Sequence, residues 1–260
     1  MHPFPTVRAR ALGVITLAIS AGLMCQAPAY AEAPTPPTPT PQLPSISKLS
    51  TTHGLENGGA SVVITGSNFV GVTAVAFGTN AAASFHAGSP TRITVITPAM
   101  RAGTYKVAVT NEAGTTVGAR YTVRTFEAEV LRLVNEARGV ARKCGKSKYK
   151  ATGPLRWDST LAKVAAAHSQ DMADHSFFSH YSRKGTSPFQ RIKKAGYRYS
   201  SAGENIAAGF GSPASVVKAW LKSPGHCKNV MNRSYDELGV GFAEGGYYGN
   251  YWTQDFGNPR

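Results

Sequence analysis

The chain has 260 residues, with 28 Lys and Arg against 14 Asp and Glu and a formal net charge of +14. A balance this cationic favours anionic partners such as envelope polymers, phospholipid headgroups or nucleic acid, although charge alone names none of them. No stretch beyond the N-terminus is apolar enough to span a bilayer, which needs about 20 residues.

The N-terminus carries Arg8 and Arg10, then an apolar run from Ala11 to Leu23, then the small–bulky–small triplet Ala29-Tyr30-Ala31. This layout predicts an export signal over residues 1–31, removed from a secreted, extracellular or cell-envelope protein. Removal takes Cys25 and leaves Cys144 and Cys227, a pair expected to form one disulfide in an oxidising compartment. The remaining chain keeps 26 basic residues against 14 acidic ones. Residues 126–260 hold 20 basic against 11 acidic, and Arg138 to Lys150 includes six basic residues and no acid.

Residues 32–44 contain the Pro/Thr-rich stretch APTPPTPTPQLP, a stiff, extended linker with too few apolar residues to join a core. Over residues 45–124 the pattern is all-β. Short runs such as Ser61 to Thr65, Val72 to Phe77, Ile93 to Ile96 and Tyr105 to Thr110 are separated by Gly, Asn and Pro turns, which predicts a small sandwich. The order GGASVVITGSNF, AVAFG, ITVIT and GTYKVAVTN resembles the immunoglobulin-like IPT/TIG domain. On an exported chain that resemblance implies a spacer or docking unit, so no nucleic acid is expected as its partner.

A helical period begins at Phe126, with Val130, Leu133, Val134, Ala137 and Val140 on one face. Asp158 is expected to cap a second helix whose apolar face runs through Leu161, Ala165, His168 and Met172. Ser187-Pro188 and Ser212-Pro213 open two more, the last ended by Ser223-Pro224-Gly225. Leu238 to Ala243 and Tyr248 to Thr253 read as strands joined across Gly245-Gly246. The whole predicts an α+β domain over residues 126–260.

No nucleophile elbow, metalloprotease helix or phosphate loop is present in this sequence. The remaining chemistry lies in His180 in an interhelical loop, Glu204 within GENIA, and His226 after a Ser-Pro-Gly stop. The segments LVNEAR, LRWD, HSQDMA, FFSH, SPFQR, GENIA, WLKSPGH, LGVGFA and YWTQDFG, in order from Leu133 to Gly257, together resemble the CAP superfamily. That family is similar to cysteine-rich secretory, allergen and pathogenesis-related proteins. The resemblance implies an α-β-α sandwich with a cleft over the sheet. It also implies that His180, Glu204 and His226 can hold zinc or another divalent cation. Ser223 stands where animal and plant members carry a second glutamate, a departure that weakens tight metal binding.

The expected protein is therefore multidomain: an immunoglobulin-like sandwich followed by a CAP domain. Its expected role is ligand or cation binding at the cell envelope, with an anionic envelope polymer or lipid as partner, and more as a binding protein than as an enzyme. A metal-assisted peptide or phosphoester hydrolase using His180, Glu204 and His226 is the alternative, and an adhesin or secreted effector a third.

Overall fold

The computed structural model describes residues 40–260. The expected export signal and residues 32–39 of the Pro/Thr-rich linker lie outside the described residues. No helix among the described residues is long and apolar enough to cross a membrane.

Residues from Ser45 to Arg124 form nine strands. These are β1 (Ser45–Leu49), β2 (His53–Leu55), β3 (Ser61–Ser67), β4 (Ala74–Phe77), β5 (Asn80–Ala81), β6 (Ser84–Ser89), β7 (Arg92–Ile96), β8 (Gly103–Asn111) and β9 (Gly114–Arg124). They make two sheets, ordered β1-β3-β7-β6 and β2-β9-β8-β4-β5. Alternation along β3, β7 and β8 turns Val62, Ile64, Ile93, Val95, Val107 and Val109 inward, where Phe77 and Tyr121 complete the core. This is the immunoglobulin-like sandwich expected from the period-2 pattern.

Strand β9 runs into helix α1 (Phe126–Arg138) through a single residue, Thr125, whose hydroxyl caps the helix by accepting from Ala128 N at 3.1 Å. Arg124 pairs with Glu129 across this junction, and Leu55 of the first domain packs against the core of the second.

The second domain continues with β10 (Arg142–Cys144), β11 (Ser147–Tyr149), β12 (Arg156–Trp157), α2 (Ser159–Asp174) and α3 (Pro188–Lys194). It ends with β13 (Tyr199–Ala208), α4 (Pro213–Lys222), α5 (Pro224–Val230), β14 (Glu237–Gly245) and β15 (Gly249–Pro259). The central sheet has the order β12-β14-β15-β13, parallel only between β12 and β14. Helix α2 lies on one face. Its approach requires Gly239 and Gly241, because a Cβ there would fall 2.0 Å from Ala162 N and 2.2 Å from Ala166 N. Helices α1, α4 and α5 cover the other face, burying Val130, Val134, Trp220 and Val230 against Leu238, Val240, Trp252 and Phe256. The three layers form the α-β-α sandwich.

Several local expectations are corrected. Helix α1 stops at Arg138, so Val140 falls outside its apolar face and is exposed. Pro224 opens α5 rather than only ending α4, because proline is favoured at the first helical position. GENIA, which carried no strand expectation, lies inside β13.

Candidate functional site

Strand β13 brings Glu204 to the centre of the site. Its side chain is only 2% exposed, and both of its oxygens are engaged. His180 Nδ1 donates to Oε1 at 2.7 Å, and Arg191 Nη2 donates to Oε2 at 2.5 Å. A buried carboxylate is costly unless paired and hydrogen-bonded, and here both conditions are met.

The two partners arrive from separate local structures. Arg191 sits on α3, which starts with a full capping box: Ser187 Oγ accepts from Gln190 N, and Gln190 Oε1 accepts from Ser187 N. Arg191 Nη1 also donates to the carbonyls of His180 and Thr186, so one guanidinium ties the His180 loop to the strand. That loop leaves α2 through Ser176, which adopts a left-handed φ of 52°. His168, buried on α2, donates from Nε2 to Ser179 O at 2.9 Å, one residue before His180. Desolvation, then the nearby Arg191 charge, lowers the His168 pKa and favours the neutral ring. His168 is a packing and positioning residue, as its place on the apolar helix face suggested.

His226 comes from α5. Asn205 Nδ2 donates to the His226 carbonyl at 3.2 Å and to Gln254 Oε1 at 3.1 Å. Asn229 Nδ2 donates to the Glu204 carbonyl and to Asn205 Oδ1. This amide chain fixes α5 against the edge strand β13. Desolvation, and then the influence of His180, lowers the His226 pKa. The Cys144–Cys227 disulfide is present, with a Cα–Cα distance of 5.5 Å, and anchors the residue next to His226.

Sequence reasoning missed Arg191 and Asp255. Asp255 on β15 is the register partner of Glu204 and is fully buried. Neither of its oxygens meets a donor. Desolvation, and then the Glu204 charge, raises its pKa well above the ordinary carboxyl range, so the neutral acid is favoured. A proton on Asp255 spares the sheet a second buried negative charge beside Glu204. The signal in the sequence was a single acid inside the aromatic strand YWTQDFG.

His180, Glu204 and His226 are thus gathered in one region, but not as three convergent ligands. Among the described residues, no group of three His, Cys, Asp or Glu side chains is disposed to hold a metal ion. Glu204 is spent on His180 and Arg191, and Ser223 links α4 to α5 without making a side-chain cap. The donor set does not fit the zinc or other divalent-cation cage expected from the sequence.

A depression of about 570 Å³ lies elsewhere, between α1 and α4, lined by Leu133, Arg142, Val217, Lys218, Leu221 and Lys222 among others.

Residues 131–256 match the cysteine-rich secretory protein family, CAP, and residues 44–125 match the IPT/TIG domain. The chain carries one domain of each family, the TIG domain preceding the CAP domain. It is 40% identical over 149 residues to the uncharacterized protein YkwD of Bacillus subtilis, covering 57% of this chain and 53% of that one. It is 37% identical over 132 residues to the uncharacterized membrane protein YlbC of the same organism, covering 51% and 34%. The chain therefore matches about half or less of these relatives' lengths. Among solved structures, an outer surface protein from Borrelia burgdorferi aligns at 25% identity and TM-score 0.42, covering 51% of this chain and 89% of that one. An extracellular SCP-domain protein from Bacillus anthracis aligns at 22% identity and TM-score 0.43, covering 79% and 58%.

Proposed function

We propose that this protein works outside the cytoplasm, at the cell envelope or beyond it, as a binding protein. The CAP domain holds a ligand at the face built by His180 and His226, and the TIG domain serves as spacer or docking unit. One observation carries this reading. Glu204 has both oxygens committed to His180 and Arg191, while the His180 side chain stays 45% exposed. Glu204 thereby acts as an anchor, with little freedom to take a proton from a substrate. Its bond to Nδ1 fixes the orientation of the His180 ring and leaves Nε2 as its free polar atom. A pre-set, half-exposed imidazole suits recognition of a polar ligand.

The hydrolase alternative requires a metal-activated water, and the commitment of Glu204 to His180 and Arg191 favours the binding reading over it.

The test is mass spectrometry of material extracted from the purified protein, together with binding to cell-envelope fractions. A ligand that is retained by the parent and lost on replacing both His180 and His226 with Ala supports the reading. No extracted molecule and no envelope binding would sink it.

A further inference from the structure

The six basic residues between Arg138 and Lys150 separate in the fold. Arg138 is buried, and Arg142 donates from Nε and Nη2 to the Ala137 carbonyl. The other four, Lys143, Lys146, Lys148 and Lys150, are all exposed on or beside the β10–β11 hairpin. Lys143 and Lys148 are register partners, directly opposite across the two strands. Like charges so placed weaken a strand pair, and a hairpin of three-residue strands has little stability of its own. The hairpin is held instead by the Cys144–Cys227 disulfide to α5, with Gly145 turning at φ +60° beside Pro224. A covalent tie thus maintains an arrangement that local electrostatics disfavours, as is expected where function overrides local preference.

The charge continues across the tie. Lys218 and Lys222 on α4 and Lys228 on α5 are also exposed. Among the described residues, none of these seven lysines is in an ion pair. The acid that lines the adjoining depression, Glu136, is already paired with Arg132. Arg142, Lys218 and Lys222 edge that depression, whose volume is about 570 Å³.

We propose that the β10–β11 hairpin with α4 and α5 is a docking surface for a linear, phosphate-bearing polyanion. The uncompensated charge fixes the sign of the partner. Lysines are compact point charges on flexible stems, suited to repeated phosphates in no single geometry rather than to one planar carboxylate. Cations spread over a hairpin and two helices around a depression follow a chain better than a flat bilayer. The exposed apolar side chain beside them is Val140, too small a wedge to anchor in lipid. Tyr149 is packed against the domain core, so it offers no ring on which nucleic-acid bases could stack. Its lysines are distinct from His180 and His226, although α5 carries both Lys228 and His226.

The experiment is fluorescence anisotropy of the purified protein with labelled long-chain inorganic polyphosphate. Binding is expected to weaken roughly a hundredfold between 50 and 200 mM salt, because several phosphates release counterions. The variant K143Q/K146Q/K148Q/K150Q should lose about tenfold or more in affinity, with a shallower salt slope. The variant R92Q/R101Q/K106Q/R120Q removes the same charge from the first domain and should lose less than about threefold. The hairpin variant should melt no lower than the parent, because the opposition of Lys143 and Lys148 is relieved. If it fails to fold, K218Q/K222Q/K228Q provides the same comparison from the helices. Equal losses in the hairpin or helix variants and in the first-domain variant would overturn the proposal. So would absent binding, or stronger binding to phosphatidylglycerol vesicles or duplex DNA than to polyphosphate.

Discussion

Glu204 and Asp255 face each other as register partners on β13 and β15, two carboxyl groups inside one sheet. Glu204 is stabilised by His180 and Arg191, whereas Asp255 has no donor. The pair is tolerable because one member is held protonated by burial and by its neighbour's charge.

This has a consequence for stability against pH. A carboxyl whose folded pKa is raised binds a proton in the native state that the unfolded chain has released. Its contribution to stability is complete below the unfolded Asp value and declines as pH rises toward the folded one. Above about pH 4, Asp255 should remove about 1.4 kcal/mol of stability per pH unit until it ionises in the fold. Urea unfolding of Asp255→Asn and parent across pH 4–8 should show this slope in the parent and its loss in the variant. Parallel curves would show that Asp255 is not protonated in the native state.

Glu204→Gln should destabilise the domain by about 3 kcal/mol, because it leaves the mostly buried Arg191 facing a neutral amide. His180→Ala, at a half-exposed position, should cost about 1 kcal/mol or less. Chemical denaturation of the two variants tests the asymmetry, and similar losses would contradict the role of Glu204 as anchor.

Arg138 is a buried cation whose hydrogen-bond partners are carbonyls: those of Gly153, Val230, Asn232 and Tyr235. Desolvation lowers its pKa to about 10, yet it remains charged at neutral pH. Arg138→Ala should cost about 3 kcal/mol or more by orphaning several of these acceptors. Arg138→Lys should restore only part of that, since an ammonium cannot reproduce the fork. Melting temperatures in the order parent, Lys, Ala would bear this out.

The disulfide closes a loop with a sequence separation of 83 residues. Chain entropy then gives about 4–5 kcal/mol of stabilisation. Replacing both cysteines with Ala should lower stability by several kcal/mol. It should also weaken ligand binding at His226 under conditions where the domain is still folded. Unchanged binding by the folded variant would show that the bridge does not set the His226 angle.

The legible parts of the sequence were those with a clear period or cap. Val62 and Ile64 alternate inward on β3, and Asp158, Ser187 and Ser212 each cap the helix they announce. Strand β13 was not legible. Gly203 to Ala207 are buried consecutively because helices cover both faces of the sheet, so no alternation marks them. Helix α5 was hidden by a proline that reads equally as stop or start. The positions of His180, Glu204 and His226 came from resemblance. Their partners did not: Arg191 and Asp255 reach Glu204 through tertiary pairing, which no local window contains.

One residue, Thr125, separates the last strand of the TIG domain from the first helix of the CAP domain, and Leu55 plugs the seam between them. Such a joint has no slack. The TIG domain is less a tether than a bracket, and an inserted Gly-Ser pair at Thr125 would re-aim the His180 face as well as lengthen the molecule.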